Sequence, residues 1–333
     1  MPAREERINS VNAMRIETIG IFGGTGFVGT RLANELAELG PRIRIFTRSR
    51  HRARHLWPLP NTEIIEIDFN HDGSIADQIS ECDAVINLVG ILNEKSDDGT
   101  EFRRVHTELT RAIIKACSEA SAKRYLHMSS LNADPFAASY YLRTKGEAEN
   151  AAMAADDAGV PTTVFRPSVI FGPNDRFFNR FAQLLRVSPV LPLACASAKF
   201  QPVFVGDVTK AIIGSLTNRS TFGVRYDLGG PEVNTLLELV RYVEKLINSK
   251  TIVIPLGSIM SKIQANIFEY VPGKPFSRDN LRSASEDSVC RTENGLTQLN
   301  IESTAVGEVV PTYLGGKFER MRYYDFRSGA RRI

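Results

Sequence analysis

Cysteine is scarce in this chain, and the four that occur are too scattered for the usual uses of paired thiols. Cys82, Cys117, Cys195 and Cys290 lie far apart in 333 residues and form no Cys-x-x-Cys pair. Neither a zinc site nor a disulfide framework is indicated, no metal centre is expected, and the thiols read as small buried groups in a reducing compartment. Long apolar runs are also missing. Residues 1–14 are polar and charged without the apolar core of a signal peptide, and no later run reaches bilayer-spanning length. A cytoplasmic protein is expected, attached at most to the cytoplasmic face of the inner membrane. Charge of one sign is lacking too. A net charge of +3 with 24% charged residues argues against a nucleic-acid partner. With 43% apolar residues the chain can bury a large core, as one big domain or two intimate ones.

What is present begins with Ile19-Gly-Ile-Phe-Gly-Gly-Thr-Gly-Phe-Val-Gly29, a short apolar strand running straight into a glycine cluster and then a helix. That order is the shape of a dinucleotide-phosphate cradle. Gly23 lets the chain turn tightly, Gly26 keeps the backbone open to a pyrophosphate, and Gly29 lets the helix lie close on the strand. Thr25, Phe27 and Val28 complete the cradle, where free N–H groups of the helix N-terminus would face the phosphates. The cluster fits both Gly-x-x-Gly-x-x-Gly and Gly-x-Gly-x-x-Gly, so the motif alone does not separate subtypes of the fold. Leu32, Leu36 and Leu39 then recur at helical spacing before Gly40-Pro41 ends the helix.

Pro41 to Arg48 reads as the second strand of a parallel sheet. Acid is absent from its end, because Thr47-Arg48 is followed by Arg50, Arg52 and Arg54. A carboxylate there would hold an adenosine 2′-hydroxyl, whereas a guanidinium grips a 2′-phosphate, so NADP(H) is expected in preference to NAD(H). Glu63–Asp68 is the third strand and brings Asp68 and Phe69 to the adenine position. Asp83–Gly90 is a doubly apolar fourth strand whose Leu88, Val89 and Gly90 would pass under the cofactor. A long helix over Thr100–Ser121 leads to a fifth strand, Arg124–Ser129, which delivers Ser129 and Ser130 to the same sheet edge. Tyr141 and Lys145, four apart, project from one helix face. A tyrosine of ordinary pKa near 10 is a poor acid or base at neutral pH, but a neighbouring ammonium and a cationic nicotinamide stabilise its phenolate. A serine hydroxyl would steady the substrate oxygen.

These residues resemble the extended or atypical short-chain dehydrogenase/reductases, of the epimerase/dehydratase kind. The nearest group within them includes the accessory NADPH-binding Rossmann-fold subunit of respiratory complex I and its bacterial relatives. The resemblance rests on Gly23–Gly29, His127–Asp134, Tyr141–Glu147, Arg166–Pro173 and Pro202–Val208, and in weaker form reaches about Leu314. It implies catalytic roles for Tyr141, Lys145 and Ser130 or Ser129, and a prolyl turn over Pro167, Val169 and Ile170 that closes on the nicotinamide. It also implies two competing functions. One is reduction or oxidation of a carbonyl or alcohol in an unidentified small molecule, lipid-like or quinone-like. The other is a non-catalytic NADPH-holding subunit of a membrane-associated NADH:quinone-oxidoreductase-like complex. Two departures from the family bear on the choice. Only ten residues separate Ser130 from Tyr141, and His106 stands where many active members place asparagine. That histidine can relay protons, though it is read more readily as a satisfied, partly buried ring.

The expected architecture is α/β, a doubly wound parallel Rossmann sheet with a smaller interleaved C-terminal lobe. Residues 1–14 form a flexible tail, 15–172 plus 200–228 the NADP-binding domain, 173–199 plus 229–314 the substrate lobe, and 315–333 a basic tail. In that lobe Ile263, Ile267, Phe268 and Val271 line one stripe of a helix, which reads as core packing. The last seventeen residues, from Lys317, carry six basic and two acidic side chains among aromatics, a composition suited to an anionic membrane surface or a partner.

Overall fold

A computed structural model describes residues 14–69, 72–271 and 276–315. Its centre is one parallel sheet of seven strands, β1 (Thr18–Phe22), β2 (Arg42–Thr47), β3 (Thr62–Glu66), β4 (Ala84–Asn87), β5 (Arg124–Met128), β6 (Thr162–Pro167) and β7 (Val224–Leu228). The spatial order is β3-β2-β1-β4-β5-β6-β7. β1 is therefore central, paired in parallel with β2 on one side and β4 on the other. Strand order reverses beside it, which opens a crevice at the carboxyl ends of β1 and β4.

The labelled helices are α1 (Phe27–Leu39), α2 (Leu109–Glu119), α3 (Tyr140–Asp157), α4 (Phe178–Val187), α5 (Val205–Ser215), α6 (Leu236–Leu246), α7 (Ser258–Phe268) and α8 (Val306–Leu314). The two-residue period of β1 sends Ile19 and Ile21 into a core with Leu32 and Leu36 of α1 and Val208 and Ile212 of α5. Phe22 turns to the opposite face, where Ile113 and Cys117 of α2 and Ala152 of α3 cover the sheet. Helices on both faces explain why the central strands β1 and β4 carry no charged residue on either side. A third core gathers α4, α6 and α8 around Leu191 and Leu193, strand residues in a parallel ribbon of Val190–Leu193 with Ile252–Pro255.

Several expectations are corrected. The third strand stops at Glu66 and the fourth at Asn87, whose side-chain oxygen accepts the Val89 N–H and turns the chain out of the sheet. The helix expected over 100–121 is divided, with Thr100–Phe102 followed by a π-helical Arg103–Glu108 before α2. The apolar run Phe200–Val205, which reads as a single strand, is two pieces. Pro202, which lacks an N–H, separates Lys199–Phe200 from Val203–Phe204, and the two pieces pair with different partners. Arg50–Leu56 is a 3₁₀ helix pinned by buried Ala53 and Leu56, so the arginines after β2 lie on a helical turn. Cys82 and Cys117 are buried, but Cys195 and Cys290 are only half-buried. The apolar stripe expected in the core is instead exposed. Ile263, Ile267 and Val271 are 45, 59 and 38% accessible, Phe268 is half-buried, and α7 packs inward through Ser261 and Ala265. Among the described residues no helix is long and apolar enough to cross a membrane. Residues 1–13 of the N-terminal tail and 316–333 of the basic tail lie outside the described residues.

The tightest constraint is at Gly29, where a Cβ would stand 2.4 Å from the Gly23 carbonyl oxygen and 2.5 Å from Gly24 Cα. Both are backbone atoms and cannot yield cheaply. Gly29→Ala is expected to cost about 3 kcal/mol in urea unfolding. Gly214→Ala, in α5 where nothing lies within 4 Å of the added carbon, should stabilise by up to about 1 kcal/mol.

Candidate functional site

The cradle is built by backbone. Gly23, at φ +78°, turns the chain so closely past the exit of β4 that a Cβ would meet the Leu88 carbonyl carbon at 2.9 Å. Leu88 N–H in turn donates to the Phe22 carbonyl at 2.9 Å. Gly26 caps α1 with no side-chain acceptor on its first turn and no acidic residue there, and a Cβ on it would meet only the Gly23 carbonyl, at 3.2 Å. The first-turn N–H groups of Phe27 and Val28 therefore face an open mouth, the arrangement that receives an anion. Thr25 lies on the turn itself. The Phe27 ring reaches across to Gly172, next to the turn that begins at Pro167. Pro167 accepts from Leu131 N–H at 3.0 Å, which holds that turn against the strand end carrying Ser129 and Ser130, with Val169 and Ile170 half-buried in it. At the other end of the crevice Phe69 packs on Phe22 with ring centroids 6.0 Å apart, and Asp68 is exposed beside it.

Arg48 lines a cleft of about 560 Å³ together with Ile91, Glu94, Arg104 and, from the segment after α7, Tyr270 and Val271. Of the arginines after β2, only Arg48 belongs to it. Arg54 turns back to His51 Nδ1 at 2.9 Å. Two groups here escaped sequence reasoning. Arg104 is brought to the cleft by the π-helical turn, and such turns recur at functional sites. Glu66 sits at the end of β3, where its carboxylate accepts the Arg50 N–H at 3.1 Å; the strand register that puts Glu66 beside Thr47 is invisible in one sequence.

Lys145 is the electrostatic centre. Its ammonium is buried and donates to the Met128 carbonyl at 2.9 Å and the Val89 carbonyl at 3.3 Å, so it bridges the ends of β4 and β5 beneath Gly90. Burial lowers its pKa to about 8 against the opposing pull of Glu149. Burial, followed by the same charge, holds His127 down to about 3 and holds His106 well below the ordinary imidazole range. His106 is fully committed. Its Nε2 accepts the Ile91 N–H at 3.0 Å, and its Nδ1 lies 2.9 Å from Thr144 Oγ1. Thr144 already donates to the carbonyls of Tyr140 and Tyr141, so Nδ1 must be the donor and the ring is neutral. With both nitrogens occupied, His106 ties the β4 exit to α3 and has no free nitrogen to relay a proton.

Tyr141 is half-buried on the first turn of α3, edge-on to His106 at 5.6 Å. Burial raises its phenol pKa, and the neighbouring Ser130 hydroxyl works against that rise. Ser130 Oγ nevertheless closes no hydrogen bond of proper geometry, and neither does Ser129 Oγ, although both are buried. Two orphaned hydroxyls at a strand end are costly unless a polar ligand completes them. The N-terminus of α3 is held from afar, since Asp279 accepts the Tyr140 and Tyr141 N–H groups at 2.7 and 3.0 Å.

Comparison with known proteins now bears on this geometry. A model of the NAD dependent epimerase/dehydratase family matches residues 19–229. The chain belongs to that family. It is 29% identical over 292 residues to NADH dehydrogenase [ubiquinone] 1 alpha subcomplex subunit 9, mitochondrial, of Mus musculus, covering 85% of this chain and 76% of the relative. It is 29% identical over 195 residues to the ceramide reductase of Caulobacter vibrioides, covering 59% of each. Among solved structures, MoeE5 in complex with UDP-glucose and NAD superposes with a TM-score of 0.69 at 18% identity, covering 94% of this chain and 100% of that one. The epimerase/dehydratase family depends on nicotinamide dinucleotides, which fits an open α1 N-terminus and unpartnered serines at one sheet edge.

The lowered pKa of Lys145 has a thermodynamic consequence. Its ordinary value is 10.5, so between pH 8 and 10.5 the unfolded chain binds the extra proton and stability rises with pH. The difference amounts to about 3 kcal/mol across that window. Lys145→Met should remove this rise, so urea unfolding should show the wild type gaining about 3 kcal/mol relative to the variant as pH increases from 8 towards 10.5.

Proposed function

We propose that this chain binds NADP(H) and carries out carbonyl–alcohol interconversion at the Ser130–Tyr141–Lys145 group. The observation that carries the reading is the pair of buried, unpartnered serine hydroxyls at the end of β5, one of them against the Tyr141 phenol. When bound, the nicotinamide supplies the hydride. In the reducing direction Tyr141 donates its proton to the substrate oxygen, Ser130 donates a hydrogen bond to the same oxygen, and the Lys145 ammonium stabilises the phenolate left behind. In the reverse direction the phenolate is the base. The α1 N-terminus with Gly26, Phe27 and Val28 holds the pyrophosphate, and Arg48, with Arg104 across the cleft, holds the 2′-phosphate. Leu88, Val89 and Gly90 line the ribose, while Pro167, Val169 and Ile170 close on the ring. The lobe of 173–199 and 229–314 shapes the substrate site, whose occupant is a small carbonyl compound of lipid-like or quinone-like character.

A second reading is favoured by the similarity to a complex I subunit over 85% of this chain. In it the same site holds NADPH as a structural ligand within a membrane-associated respiratory assembly at the inner membrane, without turnover. The two readings share the cofactor and differ in chemistry.

Calorimetric titration should show tighter binding of NADPH than of NADH. Arg48→Ala should weaken NADPH about tenfold or more and leave NADH nearly unchanged, as loss of a charged hydrogen-bonding group implies. Equal affinities would overturn the 2′-phosphate assignment. Turnover is tested by NADPH oxidation with a panel of quinones and long-chain ketones. Tyr141→Phe should lower kcat on the order of a hundredfold or more while NADPH still binds. NADPH binding without oxidation of any panel member, and no phenotype for Tyr141→Phe where gene deletion has one, would favour the structural role.

A further inference from the structure

The molecule carries an apolar surface that its own core does not use. On α7, Ile259, Ile263 and Ile267 follow one another at four-residue spacing with accessibilities of 74, 45 and 59%, and Met260 beside them is 52% exposed. Tyr270 and Val271, 85 and 38% exposed, continue the stripe past the helix end. The only charged residue in Ser258–Phe268 is Lys262. The stripe does not stop at the helix. Gln264 donates its side-chain N–H to the Pro192 carbonyl at 2.8 Å, which fixes α7 against the Val190–Leu193 and Ile252–Pro255 ribbon. On the outer face of that ribbon Ile252 pairs with Val190 and Ile254 with Pro192, and Ile252, Ile254 and Val190 are 64, 45 and 40% exposed. A helix face and the strand pair it is hydrogen-bonded to thus both expose large aliphatic side chains, and none of the described residues named on them is an acid.

We propose that this surface docks on an anionic lipid bilayer, with α7 lying in the headgroup layer. Charge complementarity selects that occupant. The described chain ends at Gly315, just after α8, and α8 shares a core with Leu191, Leu193 and Val253, the inward side of the same ribbon. The last described residue therefore lies on the lobe that bears the apolar face, and the sequence of 316–333 carries six Lys or Arg against two Asp or Glu, interleaved with Phe318, Tyr323, Tyr324 and Phe326. An apolar helix face in a chain that also carries a cationic, aromatic sequence is the composition that binds anionic membranes, whereas apolar burial alone would not discriminate lipid charge. Docking also places the cleft. Tyr270 and Val271 belong both to the stripe and to the cleft rim, so its mouth would open at the membrane surface, within reach of an amphiphile. The inference stands apart from the redox reading, because vesicle binding is measured without cofactor or turnover.

The full chain is sedimented with vesicles of phosphatidylcholine containing phosphatidylglycerol, and with vesicles of phosphatidylcholine alone. Binding is expected on the anionic vesicles at low salt, falling as salt is added. Ile263→Glu with Ile267→Glu, both at exposed positions, should lower the partition coefficient about tenfold or more. Truncation after Gly316 should remove the preference for anionic lipid. An unchanged melting temperature of each variant verifies folding. Recovery of the full chain in the supernatant with both vesicle types at low salt would overturn the proposal. So would a dimer in solution that the glutamate pair dissociates, because a second copy would then be what covers the face.

Discussion

The architecture of the site depends on how closely three pieces of backbone approach one another. The β1 turn at Gly23, the first turn of α1 at Gly29 and the exit of β4 at Leu88 and Val89 meet at distances that leave no room for a Cβ at either glycine. That approach points α1 at the crevice, and it brings the β4 exit alongside β1 by way of the Leu88 hydrogen bond to Phe22. Each later strand adds its carboxyl end to the same edge, since parallel pairing with right-handed crossovers leaves those ends together. A site assembled from strand ends that are far apart in sequence follows from the sheet, and the glycines give it a backbone wall.

Within that wall, one buried ammonium organises the electrostatics. Among the described residues Lys145 has no carboxylate in direct contact and is held by two carbonyls, and burial brings its pKa down to about 8. Burial first, and the Lys145 charge second, hold two nearby histidines neutral, and His106 serves as a strut between Ile91 and Thr144. The carboxylates stand further back. Glu149 engages Arg166 and Arg225 and reaches Lys145 only through space. At Tyr141 burial opposes ionisation of the phenol, and the Ser130 hydroxyl works against that rise. The balance between the two is what a bound cationic nicotinamide would tip.

Much of this was legible in the sequence, and where it was not the reason is physical. The central sheet could be read because doubly buried parallel strands are apolar runs bounded by glycine and helix signals, and β1 does lie at the centre. The Gly23–Gly29 turn likewise declared itself by local pattern. Strand ends were overrun, at Asp68 and at Gly90; at the latter the Asn87 side chain captures the Val89 N–H and releases the chain three residues early. Contacts made across long stretches of sequence left no local mark. Asp279 caps the N-terminus of α3 from 138 residues beyond Tyr141, and Arg282 joins Asp279 to Asp97 on the cleft-side segment. Nothing near Asp279 in the sequence separates it from any other surface acid.

The failure at α7 has a different origin. A hydrophobic stripe at helical spacing reports that a helix has an apolar side, and in a soluble domain that side is normally the one that packs. Here the packing side is the small-residue face of Ser261 and Ala265, which lets the helix lie close on the lobe while its bulky residues point away. Two faces of one helix can both be low in charge, and periodicity does not say which of them the protein uses. Chains that keep large aliphatic residues exposed pay for it in solubility, so a surface of this kind persists where something else covers it. The lobe that carries this surface also supplies one rim of the cleft, and therefore whatever covers it sits next to the opening through which a substrate would have to pass.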